Sequence, residues 1–114
     1  MSPSNIIVNT RRLVELKSGG WIVVVIEIIE ISPNKAGLFL DRFKLSWIAF
    51  NPENPDQRVL VDAHSPFGLH YHINDGAQIP VKGSNLQECL KLFQSLVISH
   101  FGELEEPIYE DFYF

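Results

Sequence analysis

Two runs rich in β-branched residues, Ile6 to Leu16 and Trp21 to Ile31, meet across Lys17-Ser18-Gly19-Gly20. Paired glycines supply the positive φ angles of a tight turn, so this stretch predicts an antiparallel hairpin that the rest of the chain must extend. In the second run Ile22, Val24, Ile26 and Ile28 form a wholly apolar face, and Trp21, Val23 and Val25 make the other face nearly so. A strand apolar on both sides is usually covered on both sides. One layer of cover is expected from this chain and a second from another subunit or a partner, with Glu27 and Glu30 near the exposed end of the strand.

Three further strands follow by alternation. Leu38 to Asn51 sets Phe43, Leu45, Trp47 and Ala49 on one side, with Arg42, Lys44 and Ser46 on the other. Asn51 to Gln57 is dense in turn formers, and Arg58 to His64 then shows Val59, Val61 and Ala63 on one face and Arg58, Leu60, Asp62 and His64 on the opposite one. After Ser65-Pro66-Phe67-Gly68, the run Leu69 to Asn74 carries His70 and His72. Ala77 to Val81 reads as a short edge piece because Pro80 cannot sit in a central strand. One helix is expected: Ser84 and Gln87 form a capping-box pattern, Leu86, Leu90, Phe93, Val97 and Phe101 recur on one face, and Gly102 stops it. The predicted fold class is α+β, an antiparallel sheet of about five strands with one C-terminal helix on one face. A chain of 114 residues with 46% hydrophobic residues fits a single domain over residues 1–114. Residues 103–114 form an acidic, aromatic tail with the composition of a docking peptide or a packing arm.

The sole cysteine, Cys89, excludes an internal disulfide and lies in the apolar helical pattern, as a buried thiol would. Together with a polar N-terminus that lacks signal-peptide order, it makes a cytoplasmic location the expectation. The longest apolar run, Trp21 to Ile26, is too short to span a bilayer, so no membrane role is expected. The net charge of −5 is unevenly spread, since residues 1–60 carry seven Lys/Arg and six Asp/Glu whereas 61–114 carry two and eight. That balance disfavours nonspecific nucleic-acid binding but leaves room for a local basic face. Glycine-loop nucleotide motifs, serine elbows and zinc-protease helices are missing.

Chemistry gathers in Asp62-Ala63-His64 and His70-Tyr71-His72, which hold three of the four histidines. On a strand, His70 and His72 share a face with Cα atoms roughly 6.5 to 7 Å apart. One reading is a nuclease site: a neutral imidazole takes a proton from a ribose 2′-hydroxyl, a second protonates the leaving oxygen, and Arg or Lys stabilises the phosphate. A second is a metal site in which His70 and His72 supply two nitrogens and His64 or Asp62 a third ligand, with an open position for water. A third is a partner-binding surface whose imidazoles change charge between about pH 5 and 8. Beside these stands the plain alternative of ordinary polar residues on the solvent side of a sheet. His100, at the helix end, is expected to complement the helix dipole or lie on the surface.

The order and spacing resemble the TumE-type family of small prokaryotic proteins, described as toxins encoded beside a helix-turn-helix antitoxin. The resemblance rests on the glycine-turn hairpin, then Phe43-Lys44-Leu45-Ser46-Trp47, Arg58-Val59-Leu60-Val61-Asp62-Ala63-His64, a short loop, His70-Tyr71-His72, and a helix opening near Leu86-Gln87-Glu88. Ala63 stands where the family pattern has asparagine. The resemblance implies a toxin-like component of a toxin-antitoxin module, with a helix-turn-helix antitoxin as partner.

The expectation is therefore metal-independent RNA cleavage with no cofactor. His70 and His72 take acid/base roles, Asp62 orients His64, and Arg42, Lys44 and Arg58 hold phosphate. The alternatives are a noncatalytic interaction module, with a homodimer as one form of it, and a metal-binding protein using His64, His70 and His72.

Overall fold

Parity along the strands decides which side of the sheet becomes core. The computed structural model describes the backbone of residues 5–30, 43–64, 68–81 and 86–108, and the side chains of these except residues 5–8, 64 and 86. Six strands pair antiparallel in sequence order: β1 (Asn5–Glu15), β2 (Trp21–Glu30), β3 (Phe43–Asn51), β4 (Asn54–His64), β5 (Gly68–Ile73) and β6 (Ile79–Pro80). Helix α1 (Leu86–Phe101) follows. This is the expected α+β arrangement, with the two-residue β6 bringing the strand count to six. Its Pro80 sits at the sheet edge, where a missing N–H costs no ladder bond.

The register stacks like on like. Ile26, Trp47, Val61 and Tyr71 form one row across β2 to β5, while Ile28, Leu45, Ala63 and Leu69 form the next. Apart from the half-buried Tyr71, every member of these rows is at most 3% exposed. The helix seals this face with Cys89, Leu90, Phe93 and Val97, each 0–1% exposed, at the spacing of one helical stripe. Phe93 meets Trp47 with ring centroids 5.9 Å apart and planes tilted by 58°. Fully burying side chains of this size contributes roughly 1.5–3 kcal/mol each. Trp47 Nε1 is buried with no hydrogen-bond partner among the described residues.

The turns follow the sequence closely. Gly19 and Gly20 adopt φ of +97° and +87°, and Leu16 donates its N–H to Gly20 O at 3.0 Å. Gly102, at φ +106°, ends the helix by donating to Ile98 O at 2.8 Å. The Asn51 to Gln57 stretch departs from its loop reading. Asn51 pairs with Asn54 across Pro52-Glu53, Phe50 pairs with Arg58, and residues 55–57 bulge between the two pairs. Asn51 holds this turn, accepting from the Glu53 N–H at 2.9 Å and donating to Gln57 Oε1 at 3.0 Å. Glu27 lies within the sheet, between Asn9 and Ser46, and is half-buried. Residues 38–42 of the expected third strand, the Ser84 cap and tail residues 109–114 lie outside the described residues. Among the described residues, no helix is long and apolar enough to cross a membrane.

Candidate functional site

On the face away from the helix, register brings polar residues into one row: Glu27, Ser46, Asp62 and His70 are successive Cα partners. His72 belongs to the neighbouring row with Leu60, Ile48, Val25 and Arg11. The two imidazoles share a face, as alternation requires, and meet edge to face with centroids 5.3 Å apart and planes at 89°. Asp62 joins them, its Oδ2 lying 3.9 Å from His70 Nε2.

The two histidines differ in access. His70 is 3% exposed, and its Nδ1 donates to Gly68 O at 3.1 Å. Gly68 has φ +73°, a conformation that glycine adopts without strain and that fixes this carbonyl. His72 is half-buried and donates from Nδ1 to Gly76 O at 3.1 Å. A carbonyl oxygen only accepts, so the neutral His72 ring keeps its lone pair on Nε2. His70 is thus an internal support and His72 the accessible member of the pair.

A shallow cavity of about 240 Å³ borders His72, lined also by Arg58, Leu60, Asn74, Asp75 and Gly76. Arg58 Nη2 is 2.7 Å from Asp75 Oδ1, so its charge is already compensated at the cavity rim. The turn is closed by Gly76 N–H to Ile73 O at 2.9 Å. Asn74 ties three elements together. It takes φ +54°, donates its N–H to Arg58 O at 2.8 Å, and its Oδ1 accepts from the Arg58 N–H and from His100 Nε2, both at 3.0 Å. An amide oxygen cannot donate, which assigns the Nε2 proton of His100.

Asp62, His70 and His72 therefore come together, with Arg58 near His72. Lys44 does not join Arg58. It is exposed, and it lies one row beyond Ser46 while Arg58 pairs with Phe50, six residues along β3 from Lys44. Six residues of strand span ~20 Å, so the two cations cannot meet on one phosphate. Arg42 and the His64 side chain lie outside the described residues; the His64 backbone pairs with Gly68. Among the described residues, no group of three or more His, Cys, Asp or Glu side chains is placed to hold a metal ion.

No family model, curated protein or solved structure matches this chain. Function has to be argued from the site itself.

Asn74-Asp75-Gly76 has the composition of a turn, and His100 is expected from sequence to complement the helix dipole or lie on the surface. A sequence separation of 26 hides the contact between Asn74 and His100, and only the positive-φ tendency of asparagine marks a special position. Cys89 is buried, as expected, and burial with the neighbouring Glu88 carboxylate raises its thiol from 9.0 to about 11. That setting is the opposite of the electropositive, exposed one that a nucleophilic thiol needs.

Proposed function

We propose that this chain is the toxin-like member of a prokaryotic toxin-antitoxin pair and that it cleaves RNA at the sheet face carrying His72. The observation that carries this reading is the paired state of His72: Nδ1 is anchored on Gly76 O, which leaves Nε2 as a proton acceptor beside an open cavity. In the proposed step Nε2 takes the proton of a ribose 2′-hydroxyl. The freed oxygen attacks the adjacent phosphorus and the 5′-oxygen leaves, taking a proton from solvent; the hydroxide so formed recovers the proton held by His72.

His70 serves as a positioning residue in this scheme, its ring edge-to-face with His72 and flanked by Gly68 O and Asp62. Arg58 serves the phosphate once the anion competes for the guanidinium now paired with Asp75. Lys44, ~20 Å away, serves a more distant phosphate of the same strand. The partner that restrains this activity is a helix-turn-helix antitoxin.

Inducible expression in a bacterial host tests the reading. Wild type arrests growth, His72→Ala does not, and co-expression of the antitoxin encoded beside the gene restores growth. Equal arrest by wild type and a His72→Ala variant with an unchanged circular-dichroism spectrum would sink it.

A specific observation supports a second reading, an interaction module. Leu13 and Trp21, on the same sheet face near the hairpin turn, are 60% and 50% exposed.

A further inference from the structure

Strand β1 is a sheet edge, and its backbone shows which way its unpaired groups face. Leu16 donates its N–H to Gly20 O and accepts from Gly19 N–H, so the even residues from Val8 to Leu16 exchange bonds with β2. The odd residues, Asn9, Arg11, Leu13 and Glu15, turn their N–H and C=O groups outward.

The chain itself already uses one end of that edge. Lys17 N–H donates to Glu103 O and Glu105 N–H donates to Glu15 O, both at 2.9 Å, and Leu16 bridges Leu104 antiparallel. An ion pair between Lys17 and Glu103 at 3.6 Å accompanies the ladder. Continuing the register would set Pro107 opposite Leu13. Proline has no N–H to give to Leu13 O, and the ladder stops there. Arg12 Nη2 instead donates to Pro107 O at 3.3 Å, and Ile108 turns into the core with its N–H on Gln94 Oε1.

Beyond that proline, Leu13, Arg11 and Asn9 have no strand partner other than β2 among the described residues. Their side chains are exposed, with the Arg11 guanidinium 5.9 Å from the centre of the Phe50 ring. This stretch is basic, through Arg11 and Arg12, and the segment that pairs with its other end is acidic, through Glu103, Glu105 and Glu106. A second copy of β1 paired about Arg11 or Arg12 would set like charges opposite each other, which disfavours those registers. Charged side chains also guard edges against unwanted pairing, so the edge selects for a partner that neutralises the exposed Arg11.

We propose that the Asn9–Leu13 edge of β1 is a docking site for an extended acidic segment of another polypeptide, which adds as an antiparallel strand. Its backbone bonds to Asn9, Arg11 and Leu13, a carboxylate faces Arg11, and an apolar residue covers Leu13. This inference is independent of the RNA reaction, because three strands separate β1 from β5, which carries His72.

The test is a titration of the full ¹⁵N-labelled chain with an acetylated, amidated nine-residue acidic peptide whose centre reads Leu-Glu-Glu, so that in antiparallel register its leucine lies beside Leu13 and its second glutamate beside Arg11. Expected are shifts centred on the Asn9, Arg11 and Leu13 amides, at least tenfold slower hydrogen exchange there, and at least tenfold weaker binding to Arg11→Glu. The same peptide N-methylated at alternate residues, which cannot complete the ladder, does not bind. Equal binding of the methylated peptide would overturn strand addition in favour of simple charge attraction. No shifts at about 1 mM peptide, the range of weak docking, or protection of the same amides by concentration-dependent dimers without peptide, would also overturn the proposal.

Discussion

Replacing Asn74 with alanine removes the clamp that holds the His72 turn to β4 and to the helix. Asn74 Oδ1 accepts two hydrogen bonds, from the Arg58 N–H and His100 Nε2, each at 3.0 Å. Both lie at the surface, so each contributes about 0.5–1 kcal/mol, the lower part of the usual range. The backbone adds to this: φ is +54°, and a left-handed conformation costs alanine about 1–2 kcal/mol that asparagine tolerates more easily. The expected loss is about 2–4 kcal/mol, or roughly a 10 °C fall in Tm for a chain of this size. Asn74→Asp keeps the acceptor oxygen and the tolerance of positive φ, and is expected within about 1 kcal/mol of wild type. Urea unfolding followed by circular dichroism reads both. Wild-type stability in Asn74→Ala, or an equal loss in Asn74→Asp, would refute the clamp.

Other expectations follow from particular groups. Gly68→Ala costs about 1–2 kcal/mol from its φ of +73°, because a Cβ there meets nothing within 4 Å among the described residues; the loss should appear in urea midpoints together with a shifted His70 ring ¹⁵N resonance. Trp47→Phe removes a buried N–H that has no partner among the described residues, which offsets the smaller ring, so it stays within about 1 kcal/mol of wild type while Trp47→Ala loses about 3–5 by the same urea assay. The folded thiol of Cys89 ionises at about 11 against 9.0 unperturbed, so its contribution is intact below pH 9 and fades as pH rises through about 11. Thiolate absorbance should therefore stay low at pH 9.5 in the native protein and appear on adding urea; a native thiolate at pH 9 would contradict the burial argument.

How far the sequence carried can be seen in individual strands. Large apolar residues at every second position fixed the parity of β2, β3 and β4, and Ile26, Trp47 and Val61 lie side by side as the alternation requires. Glycine pairs and the Gly102 stop marked their turns because only backbone freedom was at stake. Asn54 to Gln57 was harder: proline, asparagine and aspartate read as loop, yet Asn54 pairs with Asn51 and the residues after it bulge. Local composition cannot reveal a bulge that is imposed by pairing on both of its sides.

The site was legible to a similar depth. Parity put Asp62, His70 and His72 on one face and register then brought them together. Burial was invisible, because whether an imidazole is covered depends on neighbours remote in sequence; His70 proves enclosed and His72 accessible. Shared parity also said nothing about distance along the strand, which separates Lys44 from Arg58. The ion pair of Arg58 with Asp75 and the bond between Asn74 and His100 cross 17 and 26 residues, beyond any periodicity.

The most direct test of the central claim is the chemistry of RNA ends after incubation with purified protein. Single-stranded RNA mixed with wild type should yield 2′,3′-cyclic phosphate ends, the product of attack by the 2′-oxygen, and His72→Ala should yield none while unfolding at the wild-type urea midpoint. Intact RNA with folded wild type, or the same cleavage by His72→Ala, would contradict a reaction based on the His72 imidazole.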